Sequence, residues 1–327
     1  MSPFGATIFG CEGLRLSAGE RAFFRNARPF GFILFARNIE TADQVRALCA
    51  ELRSCVDHHA PILIDQEGGR VQRFRAPLAT EFVPPLEEVE RAGANASRAM
   101  YLRGRIIAHE LHGMGVDANC APMLDVARDG THPFLKNRCY GTDPEEISSI
   151  GRAMADGLSD GGVLPVMKHM PGHGRAVVDS HFDLPTVTAA EAELAADFAP
   201  FKALNDLPMG MTAHLVYTAF DNRPATTSPK MMQLIREHIG FDGLVMTDDI
   251  SMKALTAPLA EKSAASIAAG CDVVLHCNGD LAEMREVAQA CGLMTVAAQA
   301  RAEAALAARK TPDTVDIEAL TAELKTF

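Results

Sequence analysis

The residues richest in chemistry lie in Lys168-His-Met-Pro-Gly-His-Gly-Arg-Ala-Val-Val-Asp-Ser-His181, a run with a lysine, three histidines, an aspartate and a serine. Asp179 and His181 stand two apart, so a loop folding back on itself can pair the carboxylate with the imidazole. Such a pair fixes the imidazole tautomer and favours the protonated ring. It can give a proton to a leaving group and later take one from water. Asp248, in Met246-Thr-Asp-Asp249, is the candidate partner: an ionised carboxylate able to act as a nucleophile. A proton donor facing such a carboxylate is the pairing of a retaining glycosidase, here with imidazole where a carboxylic acid is usual. Asp65, Arg73, Arg138, Lys168 and His169 then offer fixed hydrogen bonds to sugar hydroxyls, and the arginines also suit a carboxylate or acyl group.

Other readings of the same residues are weaker. His169 and His173 have the i, i+4 spacing of a zinc-binding helix, but Pro171-Gly172 lies between them and no Glu follows the first histidine. His173, Asp179 and His181 remain a formal ligand set; no metal and no cofactor is expected. His214 and His276, near strand ends, read as hydrogen-bonded polar groups rather than catalysts. A Schiff-base aldolase built on Lys168, or a silent sugar-binding protein, would leave the Asp179, His181 and Asp248 pattern unexplained.

Positioning these side chains requires strand ends. Apolar runs alternate with helical patterns along the chain: Ala6–Gly10, Gly31–Phe35, Pro61–Asp65, Asp117–Ala121, Val163–Met167, Met209–Ala213, Gly243–Thr247 and Cys271–Leu275 read as strands. Ser17 and Glu20 stand at capping-box spacing, Thr41 caps an amphipathic run to Arg53, and a helix covers about Asn95 to Gly113. Asp143-Pro144 and Ser228-Pro229 open further helices, with Gly161-Gly162 and Gly240 as stops. Residues 74–93, with several prolines, read as a long loop, and Leu281 to about Lys310 as one Ala-rich helix. Eight strand-helix units predict an α/β fold: a (β/α)8 barrel of the TIM type, with residues 1–327 as one catalytic domain and C-terminal helices over about 281–327. A doubly wound sheet is disfavoured, since no GxGxxG follows the first strand. In a barrel the C-terminal strand ends converge on one face, which would gather Asp65, Asn119, Lys168, His169, His214, Asp248 and His276.

The 42 acidic against 31 basic residues give a net charge of -11, and without a basic cluster a nucleic-acid partner is not expected. No apolar run approaches a membrane span, and the first residues lack the pattern of a signal peptide. Eight cysteines without a CxxC spacing read as reduced thiols. A cytoplasmic protein is the expectation, as a monomer or weak dimer.

The Lys168–His181 run closely resembles the signature of glycoside hydrolase family 3, and within it the bacterial β-N-acetylglucosaminidase branch. Ile64-Asp-Gln-Glu-Gly-Gly-Arg-Val-Gln-Arg73, Asn137-Arg-Cys-Tyr-Gly141 and Gly243-Leu-Val-Met-Thr-Asp-Asp-Ile-Ser-Met252 match in order. The resemblance runs from the first strand to about residue 280. It implies Asp248 as nucleophile, His181 as acid/base with Asp179 as its partner, and Asp65, Arg73, Arg138, Lys168 and His169 as sugar-binding residues. It also implies removal of terminal N-acetylglucosamine from cytoplasmic muropeptides (GlcNAc-1,6-anhydro-MurNAc with or without peptide) in peptidoglycan recycling. A phosphorylase, or another β-glycosidase of the family, is the alternative. Cys139-Tyr140 departs from the expected Ser-Phe but nearly conserves size.

Overall fold

The structure, a computed structural model, describes residues 3–178 and 183–327. The eight barrel strands are β1 (Gly5–Gly10), β2 (Pro29–Leu34), β3 (Ile62–Ile64), β4 (Ala118–Asn119), β5 (Leu164–Met170), β6 (Met209–Thr212), β7 (Leu244–Met246) and β8 (Val274–His276). Every residue in them is buried. Strands covered on both faces need apolar residues throughout rather than alternation, which is why they read as continuous apolar runs. They pair in parallel from β7 through β6, β5, β4, β3, β2 and β1 to β8. A parallel bridge between Met246 and Val273, with the Thr247 N–H donating to the Val273 carbonyl at 3.2 Å, brings the two ends together. The architecture is the expected (β/α)8 barrel.

The shortest strand is extended by a side chain. Asn119 Oδ1 accepts the Gln66 N–H and Asn119 Nδ2 donates to the Gln66 carbonyl, both at 3.0 Å. The amide thus copies a ladder pair just beyond the end of β3, so its role is structural. The crossover helices start as their caps predict. Ser17 and Glu20 form the capping box, Thr41 accepts from the Gln44 N–H, and Asp143 caps the helix Pro144–Asp160.

Two segments differ from the sequence reading. Within 74–93 the chain forms a helix over Pro85–Ala92, because a proline in the first turn loses no needed hydrogen bond and Glu87 and Glu88 favour the helix N-terminus. Glu88 then turns inward to pair with Arg103, which is fully buried. The expected single helix from Leu281 divides into Leu281–Cys291 and Val296–Ala307. Gly292 at φ +64° ends the first, and its carbonyl accepts the Ala6 N–H at 3.0 Å, tying the break to β1.

The end of the barrel opposite the strand termini is fastened by Asp117, just before β4. Its carboxylate accepts the Ile62 N–H at 2.8 Å and pairs with Arg53 at 2.9 Å and Arg309 at 3.0 Å. Arg309 follows the helix Val296–Ala307, so this one carboxylate ties the C-terminal region to the barrel wall. Asp117→Ala leaves two poorly exposed guanidiniums without their carboxylate and the Ile62 N–H without its acceptor. It is expected to lower unfolding free energy by about 3–5 kcal/mol in urea titration, while the folded fraction keeps its kcat.

Candidate active site

The C-terminal strand ends form a narrow cleft with a cavity volume of about 90 Å³. Asp65, Arg138, His169, His173 and Asp248 supply its polar lining; Val71, Phe134, Leu135, Ala176 and Val178 supply an apolar wall. A sugar ring has one edge of hydroxyls and a less polar face, and the cleft offers a surface for each.

Three cations and two carboxylates are knitted together at its base. Lys168 Nζ donates to Asp65 Oδ1 at 2.9 Å and lies 2.5 Å from Glu67 Oε1. Arg138 clamps Glu67 through Nε at 2.9 Å and Nη2 at 2.8 Å, and Arg73 reaches Asp65 Oδ2 at 3.0 Å. Burial alone would raise both carboxyl pKa values. Lys168 and Arg73 nonetheless hold Asp65 well below the carboxylate range, and Arg138 and Lys168 bring Glu67 to about 2. Burial would lower Lys168, but Asp65 and Glu67 outweigh it and keep the ammonium charged. Two carboxylates against three cations leave the network with one positive equivalent.

A second network stands on Asp125, fully buried in the loop after β4. Its Oδ2 lies 2.7 Å from His169 Nδ1, and its Oδ1 accepts the His173 N–H at 2.6 Å. A carboxylate only accepts, so His169 Nδ1 carries the proton toward Asp125 and Nε2 is left for the cleft. Burial, followed by the neighbouring His169, pushes the His173 pKa down to about 4 and keeps that ring neutral.

Asp248 and Asp249 are separated by their partners. The Asp249 carboxylate is occupied by Ser251, through its N–H and hydroxyl, and by the Cys277 N–H at 3.2 Å. Asp248 lines the cleft, and Oδ1 accepts the Asp249 N–H at 2.8 Å. Burial would raise its pKa; His169, His214 and that N–H bring it below the usual value, so the carboxylate is ionised. His214 is buried between Thr226 and the Asp249 carbonyl, and His276 lies against Glu283, so both are hydrogen-bonded polar groups as expected.

Residues 15–307 match the family described as Glycosyl hydrolase family 3 N terminal domain. The chain belongs to this family. It is 38% identical over 282 residues to a protein named Beta-hexosaminidase from Alkalilimnicola ehrlichii, covering 84% of this chain and 81% of that one. A Beta-hexosaminidase of Methylococcus capsulatus is 40% identical over 277 residues, covering 83% and 82%. The crystal structure of NagZ from Neisseria gonorrhoeae in complex with N-trifluoroacetyl-D-glucosamine superposes with a TM-score of 0.85 at 30% identity, covering 99% of this chain and 94% of that one. The protein is therefore a family 3 glycoside hydrolase, of the beta-hexosaminidase kind.

Of the site residues named from sequence, the structure brings Asp65, Arg73, Arg138, Lys168, His169 and Asp248 to one face of the barrel. Asp179 and His181 lie outside the described residues. Lys168 is 1% exposed and meets Asp65 and Glu67 rather than the cleft itself. Glu67, Asp125, His132 and Phe134 were given no role from sequence. Glu67 and Asp125 follow β3 and β4 closely, the same signal that singled out Asp65. Phe134 carries the Arg70 guanidinium 3.3 Å above its ring centroid, a contact with no local sequence pattern. The backbone following Pro171 is tied down. Tyr217 Oη donates to the Gly172 carbonyl, Thr131 Oγ1 donates to the Gly174 carbonyl at 2.5 Å, and the His132 N–H donates to the Ala176 carbonyl at 3.0 Å. A Cβ on Gly174 would stand 1.8 Å from the Val126 carbonyl oxygen, so only glycine fits that crossing.

Glu67→Gln removes the charge that joins Lys168 to Arg138. It is expected to cost about 3 kcal/mol in unfolding free energy and to lower kcat/KM about 100-fold by letting the cleft-lining groups drift; denaturant titration and steady-state kinetics read the two. The histidine gives a pH signature. The unfolded chain takes up the His173 proton below about 6.5 and the folded chain only below about 4, so stability is full above 6.5 and falls on acidification through that window. The loss is on the order of 3 kcal/mol by pH 4, and His173→Asn should flatten the curve there. Glu67, at about 2 when folded against 4.5, adds a further loss as pH falls below 4.5.

Proposed function

We propose that the protein is a retaining exo-β-N-acetylglucosaminidase. It removes terminal, non-reducing N-acetylglucosamine from muropeptides such as GlcNAc-1,6-anhydro-MurNAc, as one catalytic domain acting in cytoplasmic peptidoglycan recycling. The observation that carries the reading is the contrast between the two carboxylates of the cleft. Asp65 is held by Lys168 and Arg73, whereas Asp248 is ionised and, among the described residues, accepts a hydrogen bond only from the Asp249 N–H. A nucleophile needs that combination of charge and an open lone pair. The relatives named Beta-hexosaminidase and the amino-sugar complex of the gonococcal protein support the substrate class.

In the first step Asp248 attacks the anomeric carbon as His181, paired with Asp179, protonates the leaving oxygen. Water deprotonated by His181 then attacks the glycosyl-Asp248 ester and releases the sugar with retained configuration. Asp65, Arg73, Arg138, Lys168 and His169 hold the sugar, either touching it or fixing the groups that do. The positive charge developing at the anomeric carbon is stabilised by the Asp248 carboxylate.

A 2-fluoro or 5-fluoro N-acetylglucosaminide analogue is expected to trap the intermediate, with the label mapping to the peptide that contains Asp248. A label elsewhere would sink the assignment. Asp248→Ala should lose at least about 1,000-fold in kcat. His181→Ala should lose far less on a nitrophenyl glycoside, whose leaving group needs little protonation, than on a disaccharide; equal losses would remove His181 as the acid. Formation of a sugar phosphate when phosphate is supplied would make the enzyme a phosphorylase.

A further inference from the structure

Two polar side chains in the cleft are not used by the mechanism above: His132, whose Nδ1 accepts the Phe134 N–H, and His173. His173 is 7% exposed, lines the cleft beside Asp248 and His169, and neither of its ring nitrogens meets a hydrogen-bond partner among the described residues. Buried polar atoms are nearly always satisfied in a folded protein, so two open positions on one ring point to a partner that the described residues do not supply. We propose that His173 is a further substrate-binding residue, whose ring takes a hydroxyl or the acetamido group of the bound N-acetylhexosamine. The inference rests on the amino-sugar reading of the site.

The backbone presents this ring deliberately. The His173 N–H is held by Asp125, the preceding Gly172 carbonyl by Tyr217, and the following Gly174 sits where no side chain fits against Val126. The ring is thus anchored through its main chain on both sides while its nitrogens stay open. His169 is the contrasting case on the same carboxylate: its Nδ1 is bound to Asp125, and its ring lies 5.5 Å from that of His173. Asp125 therefore orients one imidazole through its side chain and the other through its backbone.

The protonation state narrows what the ring can recognise. Burial keeps it neutral, with a pKa of about 4, so it has one donor and one acceptor. A hydroxyl and a secondary amide each offer the same pair in return. A carboxylate or phosphate only accepts and an ammonium only donates, so either would leave one ring nitrogen unmatched. Next to Asp248, this neutral group meets the sugar bound at the anomeric centre, not a charged part of the aglycone.

The test compares wild type, His173→Asn and His173→Phe on nitrophenyl N-acetyl-β-D-glucosaminide. The comparison extends to its 3-, 4- and 6-deoxy analogues and the analogue lacking the acetamido group. With thermal unfolding unchanged at pH 7.5, the variants are expected to lose about 10- to 100-fold in kcat/KM on the parent. On the single analogue lacking the recognised group they should match wild type within about threefold, and which analogue does so separates hydroxyl from acetamido. An equal loss on every analogue, the outcome of a purely structural role, overturns the proposal, as does no loss at all. Should the variants not fold, ring 15N resonances of His173 in the wild-type protein must shift on adding N-acetylglucosamine, and unshifted resonances overturn it. If wild type does not turn over the parent at all, the amino-sugar reading fails instead.

Discussion

Lys168 sets the terms for the active face. Its ammonium is 1% exposed, and an unpaired charge at that depth would cost several kcal/mol. It is tolerable because Asp65 and Glu67 both reach it, and they are tolerable because Arg73 and Arg138 take their remaining oxygens. None of the five can be withdrawn without stranding another. The network therefore fixes the end of β3, the hairpin formed by Gln66–Gly68 and Val71–Gln72, the loop bearing Arg138 and the end of β5 in one arrangement. Helices outside the barrel take part. Arg103, on the helix Ala96–Gly113, donates to the Glu67 carbonyl at 3.1 and 2.6 Å, and a Cβ on Gly68 would stand 1.8 Å from its Nη2. A buried arginine behind the strand thus aims the glutamate in front of it.

The cleft combines two chemically distinct halves. The ion network is rigid and always charged, suited to holding hydroxyls by strong directional hydrogen bonds. On the Asp125 side two imidazoles are held at fixed positions by one carboxylate, and that of His173 is neutral. Asp248 lies between them. Its ionisation is supported from the His169 and His214 side, while Lys168, Arg73 and Arg138 offset three of the four carboxylates in this small region. The chain's net charge of -11 therefore says nothing about the cleft, where three cations stand against four carboxylates.

How much of this was legible in the sequence depends on whether the signal was local. The eight strands were, because burial on both faces writes an unbroken apolar run, and so were the caps at Ser17, Thr41 and Asp143, each needing only a few residues. The two misread segments differ. Pro85–Ala92 carries local helix signals, a proline and two acids in its first turn, within a stretch whose prolines read as a loop, and Glu88 then docks it on Arg103; the C-terminal helix breaks at Gly292, whose carbonyl meets Ala6 of the first strand. In the site, Asp65, Lys168, His169 and Asp248 followed from position at strand ends. Glu67 and Asp125 obeyed the same rule a few residues later, but their importance comes from partners 71 and 44 residues away, Arg138 and His169. The pairing of a carboxylate with a distant cation has no pattern along the chain.

The two adjacent aspartates after β7 show what geometry adds to such a pattern. Alternation along a continuing strand would send them to opposite faces without saying which one meets the cleft. The strand instead ends at Met246, and the following turn spends the Asp249 carboxylate on Ser251 and on the Cys277 N–H beyond β8. His214 holds the same turn from the other side by binding the Asp249 carbonyl. Asp249 thereby becomes the anchor that sets the direction of its neighbour, and Asp248 is left, among the described residues, with the Asp249 N–H as hydrogen-bond donor and the cleft in front of it. Converting Asp249 to an apolar residue would free the turn as a whole, so what leaves Asp248 facing the cleft is how thoroughly the protein has satisfied the other carboxylate.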